Sequence, residues 1–459
     1  MHASTLTKPR LGAHLPELLR LAAPATASRL GLLAMGFVDT VMVGRYATRE
    51  LASLSLANRS VIMFLLIVAI GLLMGVLVAT SSAFGRGDHA ECGRVWRRSL
   101  PYAASIGLGM LVLTFTAPWL MRVLAADPVI ARESAKLVMI LGLGLPAHLV
   151  FFASAAFLEG IRRPHVPMLI LIVANALNVL LNYALIFGRL GAPELGAAGS
   201  AWTTTIIRWT IAASIVGYVW LEPSLQRFGV RRRHTGRWRD WAHQRAIGYA
   251  SAVSIGTEVG AFAGVAIIAE KLGALELAAQ EIVFNVLGVP FMFAVGVGAA
   301  TAVRVAIAHG RGDPAETAAA GWIGFATAGV LLALIALAIG LMPEALFALH
   351  SSDAALAAVA VPAISFAAIV AFFDGGQATI TMGLRGLGET WWPTAFQAIA
   401  YVAIMLPLCW LLGVTLGRGL IGLLEATLVA SMFAVAAQGA RFRWLISRAE
   451  RGRETETTA

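Results

Sequence analysis

Long apolar runs, separated by short polar or basic segments, fill the chain from residue 21 to residue 440. A helix needs about 20 mostly apolar residues to cross a bilayer. Runs of that length predict twelve membrane-spanning helices, six in each half, over residues 21–43, 52–79, 98–120, 134–158, 166–188, 196–221, 246–269, 277–307, 318–342, 354–383, 393–413 and 419–440. The predicted fold class is therefore an all-α integral membrane protein.

Composition supports this interpretation. Apolar residues make up 59% of the 459 residues and charged residues only 13%, against about 45–50% and about 25% in soluble proteins. The two cysteines, Cys92 and Cys409, lie far apart, which excludes a disulfide framework or a CxxC metal site. The first 20 residues are polar and basic and show no cleavable signal, so we expect the first apolar run to be a retained span.

The basic residues are distributed unevenly across the predicted membrane. Counted loop by loop, 24 Lys and Arg lie on one side and 8 on the other. The positive-inside rule then places both termini in the cytoplasm. The most basic loop, residues 226–245, includes Arg231-Arg232-Arg233 and is predicted to be a cytoplasmic linker. These clusters lack interleaved aromatic residues, so we expect the lipid bilayer and not nucleic acid as a partner, despite a net charge of +10.

An internal repeat divides the chain in two. FGRGD at 84–88 recurs as HGRGD at 309–313, and Gly160, Pro167 and Gly196 each recur 226 residues later. We therefore predict two parallel-repeat six-helix bundles: an N-terminal lobe over 1–225 and, after the linker, a C-terminal lobe over 246–459 that ends in a short basic cytoplasmic tail. Parallel repeats of this kind are typical of carriers that work by alternating access.

Three acidic residues lie within predicted spans: Asp39 in the first, Glu258 in the seventh and Asp374 in the tenth. Ionisable groups are costly inside a bilayer, which makes each of them a functional candidate. A structural carboxyl that is hydrogen-bonded to a neighbouring helix is the alternative for each one. Three such residues, shared between the two halves, favour a pathway for cations.

The fifth span carries a polar seam that contains Asn175, Asn178, Asn182 and Tyr183. Asn178 and Asn182 are four residues apart and lie on one helical face. Amide and carboxylate oxygens suit a small hard cation such as Na⁺, but the same amides could equally be interhelical hydrogen-bonding groups. Thr204, in the sixth span, is a further candidate oxygen ligand.

Several motifs together resemble one family. They are MGFVDTVMVG (35–44), ELASLSLAN (50–58), LNVLLNYALIFG (177–188), ELGAAGSAWTT (194–204), TEVGAFA (257–263), LAAQEI (277–282) and FFDGGQATITMGLRGLGETWWP (372–393). Over nearly all of its length the chain resembles the NorM-like branch of the multidrug and toxic compound extrusion (MATE) transporters. The resemblance implies a monomer in the bacterial inner membrane, without a cofactor. It would export small cationic or amphipathic drugs by antiport against Na⁺ or H⁺.

The resemblance also implies roles for particular residues. Asp39, Asn178, Asn182 and Thr204 would form a cation site in the N-terminal lobe, and Glu258 with Asp374 a second site in the C-terminal lobe. Further cavity or coupling candidates, for which ordinary packing is the alternative, are Asn175, Tyr183, Gln377, Phe262, Phe284 and Met292.

The chain departs from the family pattern at two places. Arg29 and Leu32 stand where Gln residues are often found, and Arg29 is expected either to snorkel towards the cytoplasm or to be a counter-ion for Glu258. The second arrangement would affect which ion is coupled. Val370 stands where an aromatic hydroxyl sometimes precedes Asp374.

Rival interpretations stay open. A lipid-linked oligosaccharide flippase of the wider superfamily would share the architecture, but would favour a basic cavity, whereas only Arg29, Arg59 and Arg208 lie within predicted spans. A major-facilitator carrier also has parallel six-helix halves, but lacks these acids in this arrangement. A membrane-embedded enzyme is disfavoured because the chain has no HExxH or GxSxG motif.

Overall fold

The structure, a computed structural model, describes residues 11–58, 63–124, 127–232 and 237–458. Within these ranges the chain is almost entirely helical and no strand occurs, which confirms the all-α class. Arg59 and Arg233, which entered the charge interpretation, lie outside the described residues, as do Lys8 and Arg10.

The helices follow one another with short connections. The first half contains α1 Leu11–Tyr46, α2 Thr48–Ala57, α3 Met63–Gly85, α4 His89–Thr114, α5 Ala117–Leu124, α6 Pro128–Gly142, α7 Leu145–Gly160, α8 His165–Phe187 and α9 Ala197–Leu221, then 3₁₀ turns at Pro223–Phe228 and Trp238–Trp241. The second half contains α10 Ala242–Leu272, α11 Ala274–Gly310, α12 Pro314–Leu341, α13 Pro343–Ala348, α14 Ala354–Gly386, α15 Trp391–Ala398, α16 Leu406–Leu408 and α17 Gly419–Thr458. Two π-helical segments, Ile399–Met405 and Cys409–Thr415, flank α16.

The number of spans agrees with the sequence. Among the described residues, ten helices are long and apolar enough to cross a membrane. Two further spans appear when α4 with α5, and α6 with α7, are each taken as one bent helix, with bends of 54° and 43°. The described chain thus accounts for the twelve predicted spans as a multi-pass membrane protein.

Several helices extend well beyond the apolar runs that predicted them. Helix α4 begins at His89, whereas the predicted span begins at residue 98. Its charged first turns stay helical because their charges are paired: Arg94 and Arg98 lie 2.6 and 3.0 Å from Glu91. Hydropathy therefore located the hydrocarbon-spanning part of the helix and not its ends.

The sequence repeat corresponds to a repeated turn. Gly87 and Gly312 have φ of +76° and +69°, a left-handed conformation that favours glycine. After each glycine an aspartate caps the next helix. Asp88 accepts from the backbone N–H of Glu91 at 2.8 Å, and Asp313 from that of Glu316 at 3.0 Å.

The chain divides into two compact units. One, the N-terminal unit, is Ala27–Ala252, and the other, the C-terminal unit, comprises the described residues of Met1–Thr26 and Val253–Ala459. The first turns of α10 pack within the N-terminal unit, where Arg98 Nε donates to Gln244 Oε1 at 2.7 Å. The lobe boundaries at 225 and 246 stay a prediction, because this division reports which residues pack together and not the path through a membrane.

Helices α4 and α7 approach closely at Gly107, and substitution there tests this packing. A Cβ at Gly107 would lie 2.8 Å from Pro146 N, against backbone that cannot yield, while a Cβ at Gly109 would meet nothing within 4 Å. We expect Gly107→Ala to cost about 1–3 kcal/mol by overpacking and Gly109→Ala to leave stability unchanged or slightly raised. Thermal unfolding of the detergent-purified variants measures both, and equal midpoints would contradict the packing.

Candidate functional site

The first candidate site surrounds Asp39 in the N-terminal unit. Asn178 Nδ2 and Asn182 Nδ2 donate to Asp39 Oδ1 at 3.1 and 2.6 Å, and Thr204 Oγ1 donates to Oδ2 at 2.9 Å. Asp39 is 8% exposed and both asparagines are fully buried. The structure thus brings together the four residues predicted for this lobe, and we name them the Asp39 cluster.

Three helices build this cluster. Asp39 comes from α1, Thr204 from α9, and the two asparagines from one face of α8, as their spacing of four predicts. One amide oxygen, Asn182 Oδ1, is buried and has no hydrogen-bond partner among the described residues. A buried acceptor without a donor is costly, so it leaves a position open for a cation or a water molecule.

The other polar residues of the fifth span lie outside the Asp39 cluster. Asn175 Nδ2 donates to the backbone oxygens of Gly31 and Leu171, at 3.0 and 2.8 Å, and so ties α8 to α1. Tyr183 is 46% exposed and its ring lies against Phe187. The hydrogen bonds of Asn175 are those of a structural residue.

The second candidate site surrounds Asp374 in the C-terminal unit. Asp374, on α14, accepts at Oδ1 from the Tyr401 hydroxyl at 2.6 Å and from Ser431 Oγ at 3.2 Å. Gln377, one turn further along α14, donates through Nε2 to the Tyr401 oxygen at 2.8 Å. Gln377 and Tyr401 are both fully buried.

Glu258 of α10 belongs to the same group of side chains. Gln397 Nε2 donates to Glu258 Oε2 at 3.2 Å and is 3.4 Å from Gln377 Oε1. The two carboxylates repel each other and are bridged by neutral donors. We name this set the Asp374 network: Asp374, Glu258, Gln377, Gln397, Tyr401 and Ser431.

Sequence reasoning missed three members of this network. Tyr401 supplies from the eleventh span the aromatic hydroxyl that is missing at Val370, and it lies in the π-helical segment Ile399–Met405. Single-turn π segments often mark functional sites. The signal was a tyrosine in mid-span, since a buried hydroxyl needs a partner. Nothing in the local sequence distinguished Gln397 or Ser431.

The predicted aromatic residues lie beside this network. Phe262 and Phe284 form an edge-to-face pair with centroids 5.3 Å apart, and Phe262 lies 5.7 Å from the Tyr401 ring. Met292, on α11, is partly buried. An apolar wall therefore adjoins the acidic pair on at least one side.

The structure replaces both expectations for Arg29. Its guanidinium forms a two-pronged ion pair with Glu159 of α7, at 2.6 and 3.1 Å. Glu159, 4% exposed, takes the place that we gave to Glu258, and the paired guanidinium does not snorkel. The predicted span ended at 158, so the sequence interpretation treated Glu159 as a residue of the membrane surface.

Both sites have the chemistry of a cation site for a weakly bound ion or proton. Each combines carboxylate with neutral amide and hydroxyl groups, and no group of three His, Cys, Asp or Glu suited to a metal occurs in the described ranges. Such ligands suit Na⁺ or H⁺ better than a transition metal.

Comparison with known sequences agrees with this picture. The MatE family model matches twice, over residues 24–184 and 250–411, with starts separated by the 226 residues of the internal repeat. A probable multidrug resistance protein NorM of Caulobacter vibrioides is 35% identical over 94% of this chain and 91% of its own length. The multidrug resistance protein PmpM of Pseudomonas aeruginosa is 32% identical over 88% and 85%.

Solved structures share the fold. An outward-facing multidrug resistance MATE family transporter superposes with a TM-score of 0.88 at 16% identity, covering 98% of this chain and all of the other. The eukaryotic MATE transporter AtDTX14 gives 0.87 at 17% identity, with 96% and 99% covered.

Proposed function

This chain belongs to the MatE family of multidrug and toxic compound extrusion proteins, and from that premise we propose that it is a multidrug efflux antiporter. It exchanges small cationic or amphipathic drugs for Na⁺ or H⁺ by alternating access, and is no enzyme. We place it as a monomer in the bacterial inner membrane with both termini in the cytoplasm. Its curated relatives are named as multidrug resistance proteins.

The observation that carries the cation coupling is the Asp39 cluster. A buried carboxylate accepts three hydrogen bonds, and beside it the Asn182 Oδ1 acceptor has no partner among the described residues. A purely structural carboxyl would need no such spare oxygen. Together, carboxylate and amide oxygens form the kind of site that Na⁺ accepts, and the carboxylate by itself accepts a proton.

Competition at the carboxylates is the mechanism we propose. The outward-facing form binds the cation at Asp39 and at Glu258 with Asp374, and this binding favours release of the drug. The inward-facing form releases the cation and reloads drug. The ion shifts the equilibrium only by the difference between its affinities for the two forms. The drug surface includes the wall formed by Phe262 and Phe284 beside the Asp374 network.

The buried arginines favour efflux over oligosaccharide flipping. Arg29 is neutralised by Glu159, and Arg208 interacts electrostatically with Asp39. Arginines that are paired in this way do not form the basic cavity that an anionic lipid-linked sugar would require.

Transport in proteoliposomes tests the proposal. We expect efflux of a cationic dye when either a Na⁺ gradient or a proton gradient is imposed, and no efflux when both are absent. Dye movement that is equal with and without gradients would contradict antiport. In cells, loss of a surface polymer instead of drug resistance would favour the flippase.

Asn182→Ala separates a cation ligand from an interhelical hydrogen-bonding group. As a ligand, Asn182 contributes its oxygen to the ion, so we expect the dependence of efflux on Na⁺ or pH to weaken more than thermal stability falls. Asn175→Ala, on the same helix but bonded to backbone, is the control and should mainly lower stability. If Asn182→Ala loses stability and keeps its ion dependence, the residue is no ligand.

A further inference from the structure

The fourth span is broken within the N-terminal unit. Helix α6 ends at Gly142, α7 begins at Leu145, and the two differ in direction by 43°. Pro146 follows the break and has no N–H, so it cannot bond to the carbonyl of Gly142 as a helical residue would. Carbonyl groups at a helix end within an apolar span need donors from elsewhere.

Helix α9 supplies these donors from a little more than one turn. Thr205 Oγ1 donates to Ile140 O at 2.8 Å, Arg208 Nη1 to Leu141 O at 3.0 Å, and Trp209 Nε1 to Leu143 O at 3.1 Å. The stem of Arg208 also covers Gly144, where a Cβ would lie 2.8 Å from Arg208 Cδ. The break is thus held open and satisfied by one stretch of a neighbouring helix.

The same stretch of α9 contacts Asp39. Thr204 donates to the Asp39 carboxylate, and Arg208, four residues later on the same face, interacts with it electrostatically. Within the described chain, the titratable groups that interact with Arg208 in this way are Asp39 of α1 and His148 of α7. Arg208 therefore joins the charge of the Asp39 cluster to a backbone carbonyl at the break.

We propose that Arg208 is a positioning residue through which the charge of Asp39 controls the break between α6 and α7. This rests on the proposed function, in which Asp39 gains and loses a cation. While Asp39 is ionised, the guanidinium has a counter-charge and holds Leu141. When a proton neutralises Asp39, Arg208 is left as an uncompensated buried charge, which is costly. The guanidinium then moves, and the break loses a donor.

Hydrogen exchange of the backbone amides at residues 141–148, in the purified full-length protein, tests this. The quantity compared is protection relative to the unstructured rate at the same pH. In the wild type we expect protection to fall as the pH is lowered, by about 5- to 150-fold, the usual range for coupling between two sites. In Arg208→Gln and in Asp39→Asn we expect low protection that does not change with pH.

Two variants separate coupling from mere support. Trp209→Phe removes a donor from the break but no charge, so protection should be lower while its fall with pH is retained. His148→Gln should also retain the fall, and its loss there would make His148 the sensor and overturn the proposal. A wild-type response in Asp39→Asn would overturn it too, even if Arg208→Gln fails to fold.

Dye efflux measured on the same variants distinguishes the two levels of the argument. If Asp39→Asn abolishes efflux but leaves the exchange at 141–148 as in the wild type, Arg208 does not couple the two and antiport stands. If Asp39→Asn transports normally, the proposed role of Asp39 itself is wrong.

Discussion

Asp374→Asn is expected to abolish dye efflux while the protein still folds and inserts. Asn has nearly the same shape, and its oxygen still accepts from Tyr401 and Ser431, so the packing around α14 persists. What disappears is the negative charge that binds a cation or a cationic drug. Losing one partner of a buried charged contact costs about 2–5 kcal/mol, which is a loss of about 30-fold or more in binding.

The measurement is efflux from proteoliposomes at equal protein content, with size-exclusion and thermal unfolding as checks on folding. Asp353→Asn is a matched control on the same helix. Asp353 is exposed and caps α14 by accepting from the N–H of Ala355 at 2.8 Å, a role that Asn also fills. The control should behave as wild type in both assays, and wild-type efflux in Asp374→Asn would place the coupling elsewhere.

Glu159→Gln is expected to be the most destabilising single change. It would leave the Arg29 guanidinium, 19% exposed, without the carboxylate that binds it at 2.6 and 3.1 Å. Removing one partner of a buried ion pair typically costs about 3–5 kcal/mol, whereas replacing both by apolar residues is often neutral. We therefore expect the double variant Arg29→Met with Glu159→Met to recover most of the lost stability.

Denaturant unfolding in mixed micelles measures the three stabilities. The exposed pair of Lys136 with Glu133, at 2.8 Å, is the control, since Glu133→Gln should change stability by less than about 1 kcal/mol. A double variant as unstable as Glu159→Gln would show that the loss comes from packing and not from the unpaired charge.

The site could be predicted from sequence unequally in the two units. In the Asp39 cluster all four predicted residues meet, because the helical period places Asn178 and Asn182 on one face and leaves few polar groups for Asp39 to contact. In the Asp374 network the acids were found by their cost in a membrane. Their donors Tyr401, Gln397 and Ser431 were not, since uncharged polar residues are common in spans and carry little signal.

The sequence by itself determined the number of spans, the repeat and the acidic candidates, because burial in hydrocarbon is a property of each run of residues. Only the tertiary structure decided which polar groups are partners. Arg29 with Glu159, Asp374 with Tyr401, and Arg208 with the carbonyl of Leu141 are each on different helices. Partners of this kind depend on how far each helix is rotated and at what depth it crosses its neighbour, and neither quantity is encoded in the hydropathy of a single segment.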